Sequence, residues 1–450
     1  MSRLWLFLFL FILLQPLLPQ VMAAPQNAVV LTIEEAVELA VSQSLVLQRS
    51  SIDLNQAAYS ANNLWSEIFP GFSLSARMNL LPSTNLFTGD GFSYSTNNLS
   101  YSITLGASLS LNPSIRSSMD RISLAYSAQL LSWENARNQL EIQVIKSFLS
   151  LANRQENIKH LQDRLETALH KLEQDRIARQ NGLLSELAWL NSQLSVQTAR
   201  YNLSTAAGAY QNALGEFLAQ LGMDPSIDLI LDGTMEIGPL SLNAESLIFE
   251  HLPRRPDIVA QRQTIERLEL NRNITTLSSR SPSLSLSTTW QGGSLTGRDG
   301  GGLGAPFVDS ISGNITLSVP IDSWIPGTRQ NQNVRAVSAE VEKARLDLQN
   351  TETRAKNQIR SLVSNLENTW ESIEIARLRL DIAQRTVEAT EIGFRNGTAG
   401  YQELEDRRND LSDARQRLLQ GELTYQNMLL DLAAALNINW RTLAANWEAF

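Results

Sequence analysis

The sequence predicts an α+β membrane protein built by internal duplication. Four strands per protomer would close as a trimeric, 12-stranded transmembrane β-barrel, continued by long coiled-coil helices. Three observations predict it. Tyr210, Gln211, Asn212 and Leu214 recur about 215 positions on as Tyr425, Gln426, Asn427 and Leu429, and the pair Asn181 and Gly182 recurs as Asn396 and Gly397. The tracts from Arg116 to Asn181 and from Thr328 to Ile392 contain neither Gly nor Pro. Short segments ahead of both tracts alternate apolar residues with Ser, Thr and Asn.

In chain order, residues 1–23 read as a secretory signal peptide, with Arg3, an apolar run from Leu4 to Leu14, and small residues up to Ala23. That run is too short to span a membrane, and no later stretch is apolar enough to be a transmembrane helix, so any span is made of strands. The absence of cysteine excludes disulfides, thiolate metal sites and a lipid anchor on an N-terminal Cys. A net charge of −9 with no basic, aromatic-interleaved face argues against nucleic acid as a partner.

Residues 24–66 form the helical segment opening the first repeat, and 67–115 hold the first pair of transmembrane strands. Phe72, Leu74, Ala76, Met78 and Leu80 alternate with polar residues, as do Ile103, Leu105, Ala107, Leu109 and Leu111. A polar but mostly uncharged second face suits a water-filled barrel interior. The segments Leu81 to Asn98 and Gly292 to Ser310, rich in Gly, Ser, Thr and Asn, read as outward loops.

Residues 116–222 form the first long helical hairpin, with its tip near Gly182. A tract of about 65 residues is ~100 Å of helix, which cannot fold back into one compact core and must pack lengthwise. Ile158, Leu161, Leu165, Ala168 and Leu172 supply a heptad seam, and the returning helix mixes large and small residues at Val196, Ala199, Leu203, Ala206, Tyr210, Ala213 and Phe217. After a linker or equatorial segment at 223–250, residues 251–279 open the second repeat with a helical segment. The second strand pair lies in 280–326, with Leu284, Leu286, Thr288 and Trp290 followed by Ile315, Leu317 and Val319.

Residues 327–437 form the second long hairpin, with its tip near Gly397, and 438–450 a C-terminal segment. Its outgoing seam runs Leu362, Leu366, Thr369, Ile373, Ala376, Leu380, Ala383 and Val387, and its returning seam Leu411, Ala414, Leu418, Gly421, Tyr425, Met428 and Leu432. The helices alone would read first as a periplasmic or surface coiled-coil structural protein without a pore. The strands favour a membrane reading: four cannot enclose water, an open edge in lipid costs several kcal/mol per unpaired backbone group, and three copies give the smallest roomy closed barrel.

His160, His170 and His251 make no metal constellation, and the first two are expected to be solvent-exposed. The carboxylates are scattered along helical faces, so no catalytic pair, cofactor or metal is assigned. Gly300, Gly301, Gly302 and Gly304 lack the Lys-Ser or Lys-Thr of a phosphate loop.

Leu31, Thr32, Glu34, Glu35, Ala36 and Leu39, then Arg255, Pro256, Asp257 and Ile258, then Val319, Pro320 and Gly327, together with the two glycine turns, give a chain that resembles the TolC family of bacterial outer-membrane efflux and secretion channels. The resemblance implies a homotrimer whose barrel sits in outer-membrane lipid and whose helical tunnel crosses the periplasm. It implies as partners a periplasmic adaptor protein and an inner-membrane transporter of the RND or ABC type, in a tripartite efflux pump or a type I secretion system, with no chemistry done by the duct. Matched position by position, the family's constriction carboxylates fall on Glu403 and Asp406, and the adaptor-contacting tips on Gly182, Leu183, Leu184 and Ser185 with Gly397, Thr398, Ala399 and Gly400. The closed-state lock residues fall on Phe394, Ala399, Ala188 and Leu187, which cannot make the family's bonds, so Glu186, Arg395, Arg407 and Arg408 are the candidate gate contacts.

Overall fold

The computed structural model describes residues 29–85, 93–224, 227, 229–233, 235, 237–240, 242–295 and 308–439. The signal segment, the glycine cluster at 300–304, and Trp440 and Trp447 lie outside the described residues. No helix among the described residues is long and apolar enough to cross a membrane. The described chain divides into two compact units. One comprises the residues up to Ser44 with Gln143–Met235, and the other Leu45–Ile142 with the residues from 236 on.

In the first unit, β1 (Val29–Leu31) pairs in parallel with β4 (Leu229–Leu231), a ladder that neither the N-terminal segment nor the linker announced in the sequence. Helix α1 (Ile33–Gln43) starts in a capping box: the Thr32 hydroxyl accepts from the Glu35 N–H at 3.3 Å, and Glu35 Oε2 accepts from the Thr32 N–H at 2.9 Å. The unit also holds the distal part of α3 (Ile115–Gln180) and all of α4 (Glu186–Gln220). Phe148 and Phe217 meet edge to face at 6.3 Å, with Ile145, Leu151, Leu218 and Leu221 fully buried around them.

The second unit holds α2 (Leu45–Asn62), the proximal part of α3 and a four-stranded antiparallel sheet. The sheet is made of β2 (Gly71–Asn85), β3 (Ser93–Leu111), β5 (Ser283–Leu295) and β6 (Val308–Ser318), in the order β2-β3-β5-β6. Its register is informative. Leu74 faces Leu105, which faces Trp290, which faces Ile311; Leu109 faces Leu286, which faces Ile315. Because side chains alternate with period two, this register gathers Phe72, Leu74, Leu105, Leu109, Leu286, Trp290, Ile311 and Ile315 on one face, with Thr288 among them, and Ser73, Ser75, Thr104, Ser108, Ser287, Thr289 and Ser312 on the other. Every residue of β6 is exposed.

The strands run further than the sequence reading allowed. β2 continues to Asn85 and β3 begins at Ser93, while β5 reaches Leu295 and β6 starts at Val308, so much of both expected loops is strand. Backbone pairing continues whatever the polarity of the side chains. Pro82, which has no N–H to give, coincides with the break in register between Leu81 and Ser83. At Gly293 the neighbouring strand comes so close that a Cβ would lie 2.5 Å from the Tyr101 carbonyl oxygen.

After α5 (Ala244–His251) and α6 (Pro256–Arg280), α7 (Arg329–Arg395) and α8 (Tyr401–Leu436) complete this unit. The heptad seam is real: Leu366 and Ile373 are fully buried, Val387 is buried, and Thr369, Ala376, Leu380 and Ala383 are half-buried between them. Small residues let the helices approach as the pattern required, since a Cβ on Gly421 would sit 3.3 Å from Cγ1 of Ile373.

Candidate functional site

Each hairpin tip is built by one glycine. Gly182 has φ +71° and Gly397 φ +74°, a left-handed conformation in which a Cβ is costly. At the first tip the N–H of Leu183 donates to the Ala178 carbonyl and that of Gly182 to the Arg179 carbonyl, both at 2.9 Å. At the second, Thr398 donates to Gly393 at 2.8 Å and Gly397 to Phe394 at 3.1 Å. Both are Schellman caps, which satisfy the last carbonyls of α3 and α7 and turn the chain. Ser185 then caps α4 through its hydroxyl, which accepts from the Ala188 N–H at 3.2 Å, while Gly400 caps α8 with no side chain. Leu183 is exposed, as are Ser185, Thr398 and Gly400, whereas Leu184 and Ala399 are half-buried.

Glu403 and Asp406 lie in the first two turns of α8, both exposed. Asp406 accepts from Gln402 Nε2 at 3.1 Å. Three residues apart on one helix, the two carboxylates share a face. The candidate gate residues all pair inside their own hairpins: Glu186 with Arg179 at 2.6 Å, Arg407 with Asp410 at 3.1 Å, Arg408 with Glu391 at 2.7 Å and Glu405 at 3.3 Å, and Arg395 with Glu391 at 3.8 Å. Phe394 and Tyr401 bring their rings to 6.4 Å across the second turn.

Sequence reading missed a polar trio near the first tip, two of its members buried. Asp175 is buried, holds Lys171 at 2.8 Å and accepts the hydroxyl of buried Ser192. Beside it, the Arg179 guanidinium lies 3.9 Å from the centre of the Trp189 ring. The signal was available only as a spacing, since Lys171 and Asp175 are one helical turn apart on the seam side of α3. His160, expected to be exposed, is half-buried, and its Nδ1 has no hydrogen-bond partner among the described residues. His170 is exposed.

Motif residues that carried the resemblance prove to be fasteners. The buried Arg255 guanidinium grips both oxygens of Asp257 at 3.0 and 2.7 Å, and donates to the Ala435 carbonyl and to Gln358 Oε1, each at 3.1 Å. It thereby ties the start of α6 to the end of α8. Partial burial pushes the Asp257 carboxyl up, but Arg255 and the Ile258 N–H hold it below its ordinary value. Tyr425, fully buried, donates from its hydroxyl to the Gly238 carbonyl at 2.7 Å, and burial raises its pKa to about 12. No group of His and acidic residues suited to a metal occurs among the described residues.

The outer membrane efflux protein family matches this sequence over residues 36–222 and again over 247–437. No curated protein matches it. Among solved structures, a membrane protein from Pseudomonas aeruginosa is similar, with a TM-score of 0.72 and 18% identity over 91% of this chain and 90% of that one. The CmeC outer membrane channel of Campylobacter jejuni gives 0.72 and 17% over 93% and 89%, and the outer membrane protein VceC of Vibrio cholerae gives 0.69 and 16% over 91% and 96%. At such identities the likeness is one of fold.

Proposed function

Because the chain belongs to the outer membrane efflux protein family, an outer-membrane family of channels and not of enzymes, we propose that it is the trimeric exit duct of a tripartite efflux pump or a type I secretion system. In this reading it passively conducts what an inner-membrane RND or ABC-type transporter and a periplasmic adaptor deliver. Family membership also removes the alternative of a coiled-coil structural protein without a pore.

One observation carries the trimer: the four-stranded sheet gathers those apolar residues on one face and ends in two open edges, β2 and β6. These edges run in opposite directions, so β6 of one copy can pair antiparallel with β2 of the next, and three copies close a twelve-stranded barrel with no backbone edge left in lipid. The apolar face then meets lipid and the Ser and Thr face meets water. The match over both halves of the chain supports a duplicated origin for the two strand pairs and hairpins.

Glu403 and Asp406 are assigned to the constriction, where threefold symmetry makes each a ring of three carboxylates. At ~6 Å and an effective dielectric between 20 and 80, like charges repel by ~0.7 to 3 kcal/mol per pair, which favours bound cations. The tips at Gly182–Ser185 and Gly397–Gly400 are assigned to the adaptor. Glu186, Arg395, Arg407 and Arg408 are assigned to the gate, each exchanging its present ion pair when the tip opens.

Planar-bilayer conductance of the mature protein, beside the double variant Glu403→Ala and Asp406→Ala, tests this. Discrete cation-preferring steps are expected, with selectivity and divalent block reduced in the variant. Unchanged selectivity would remove the constriction assignment, and a folded protein that gives no steps would remove the duct.

A further inference from the structure

A groove of about 340 Å³ runs along the second hairpin, lined on α7 by Arg379, Ile382, Ala383 and Thr386 and on α8 by Arg407, Asp410, Asp413, Ala414 and Arg417. Ile382, Ala383, Ala414 and Thr386 supply its apolar lining. Along α8 it extends from Arg407 to Arg417, ~15 Å. The antiparallel register, with Gly421 against Ile373 and Arg408 against Glu391, sets Arg379 and Arg417 together at the end away from the tip. Arg407 at the other end is held by Asp410 at 3.1 Å. Arg379 and Arg417 differ: both are exposed, and neither has a hydrogen bond or ion pair among the described residues.

We infer that this groove is a transit site for small amphiphilic anions, the anionic group bound by Arg379 and Arg417 and the apolar body laid along Ile382, Ala383 and Ala414. Guanidinium groups take carboxylate, phosphate or sulfonate through paired N–H donors, and a methyl-lined trough of this volume accepts a ring or short chain. Glu403, Asp406, Asp410, Asp413 and Arg417 follow one another at three- and four-residue steps, so the groove opens on the α8 face that carries the constriction carboxylates. The inference rests on the duct reading, which makes that face the lumen. A cargo anion leaving the acidic constriction would then meet two guanidiniums, Arg379 and Arg417, against the single carboxylate of the same groove that is unpaired among the described residues, Asp413, in a chain whose net charge is −9.

The test uses 2-naphthalenesulfonate as probe and naphthalene-2-methanol as its uncharged control, each added to the tip-side chamber of a bilayer holding the wild-type channel. In parallel, equilibrium binding of both compounds to the detergent-solubilised protein is measured. The sulfonate is expected to block current and to bind, and Arg379→Gln with Arg417→Gln to weaken both by about tenfold, in line with the loss of charge-assisted hydrogen bonds. The alcohol should act weakly on every form. Equal block and binding in the arginine variant, as when carboxylates of a neighbouring copy already occupy these guanidiniums, would overturn the proposal, as would an alcohol as potent as the sulfonate. Arginine-dependent binding without any current steps would retire the duct reading and keep the site.

Discussion

The two helical hairpins share a backbone solution and differ in their polar interiors. Both turn on a Schellman cap with a left-handed glycine, at Gly182 and Gly397, and both returning helices end at a left-handed residue, Gly222 and Asn437. These pairs stand at the 215-residue spacing of the sequence repeat. Near the first tip, however, buried Asp175 and Ser192 are joined to half-buried Lys171, whereas the positions 215 further on hold Thr386, Thr390 and Arg407. There Thr390 bonds back to the Thr386 carbonyl, and the ion pairs of Arg407 and Arg408 are partly solvated. Duplicated chains keep what the helix geometry demands and vary what sits on it. A turn needs a left-handed residue and a seam needs a heptad; a polar group needs only some partner.

The largest expected effect breaks this contrast directly. Asp175→Ala removes the buried carboxylate from the half-buried Lys171 and leaves the Ser192 hydroxyl without its acceptor, a loss of roughly 2 kcal/mol, while Thr390→Ala at the matching position costs well under about 1 kcal/mol. Hydrogen exchange of amides near the first tip should rise sharply in the former and barely change in the latter. Equal exchange in the two variants would mean that the trio does not stiffen the first hairpin.

Next in size are the turns, where the hairpins should behave alike. Gly182→Ala and Gly397→Ala each place a Cβ on a left-handed residue with open space around it, so backbone strain alone acts, at about 1 kcal/mol apiece. Protease nicking at each tip should increase to a similar degree. A tenfold disparity between them would show that one turn is held by more than its cap.

No larger is the effect expected at Tyr425, the counterpart of Tyr210 in the repeat. The Tyr425 pKa is raised to about 12 from 10.0 by burial, so its neutral form is favoured by folding. Its contribution is therefore fully present below pH about 10 and is lost as the pH climbs through about 12. Tyr425→Phe should cost about 1 kcal/mol at neutral pH through the lost bond to Gly238, and should flatten the alkaline end of a stability-against-pH curve measured by chemical denaturation. An unchanged alkaline limb would assign that sensitivity to another group.

Much of the fold was legible in the chain because it depends on neighbours in sequence. Alternation in Phe72–Met78 and Ile103–Leu111, the seams of the long helices and the Asn-Gly turns are local periodicities and local backbone preferences, and they determined strand, helix and turn by themselves. The family followed from the order of these pieces. Tertiary structure alone decided which distant residues meet: β3 against β5 across the whole first hairpin, β1 against β4, Arg255 on the Ala435 carbonyl, Tyr425 on Gly238, and Arg379 beside Arg417. Strand ends moved outward for the same reason, since a ladder stops where its partner stops and not where the polarity changes. A period fixes which face a side chain occupies, but a polar group's partner depends on what the rest of the chain brings to that face, and one-dimensional spacing does not contain that information.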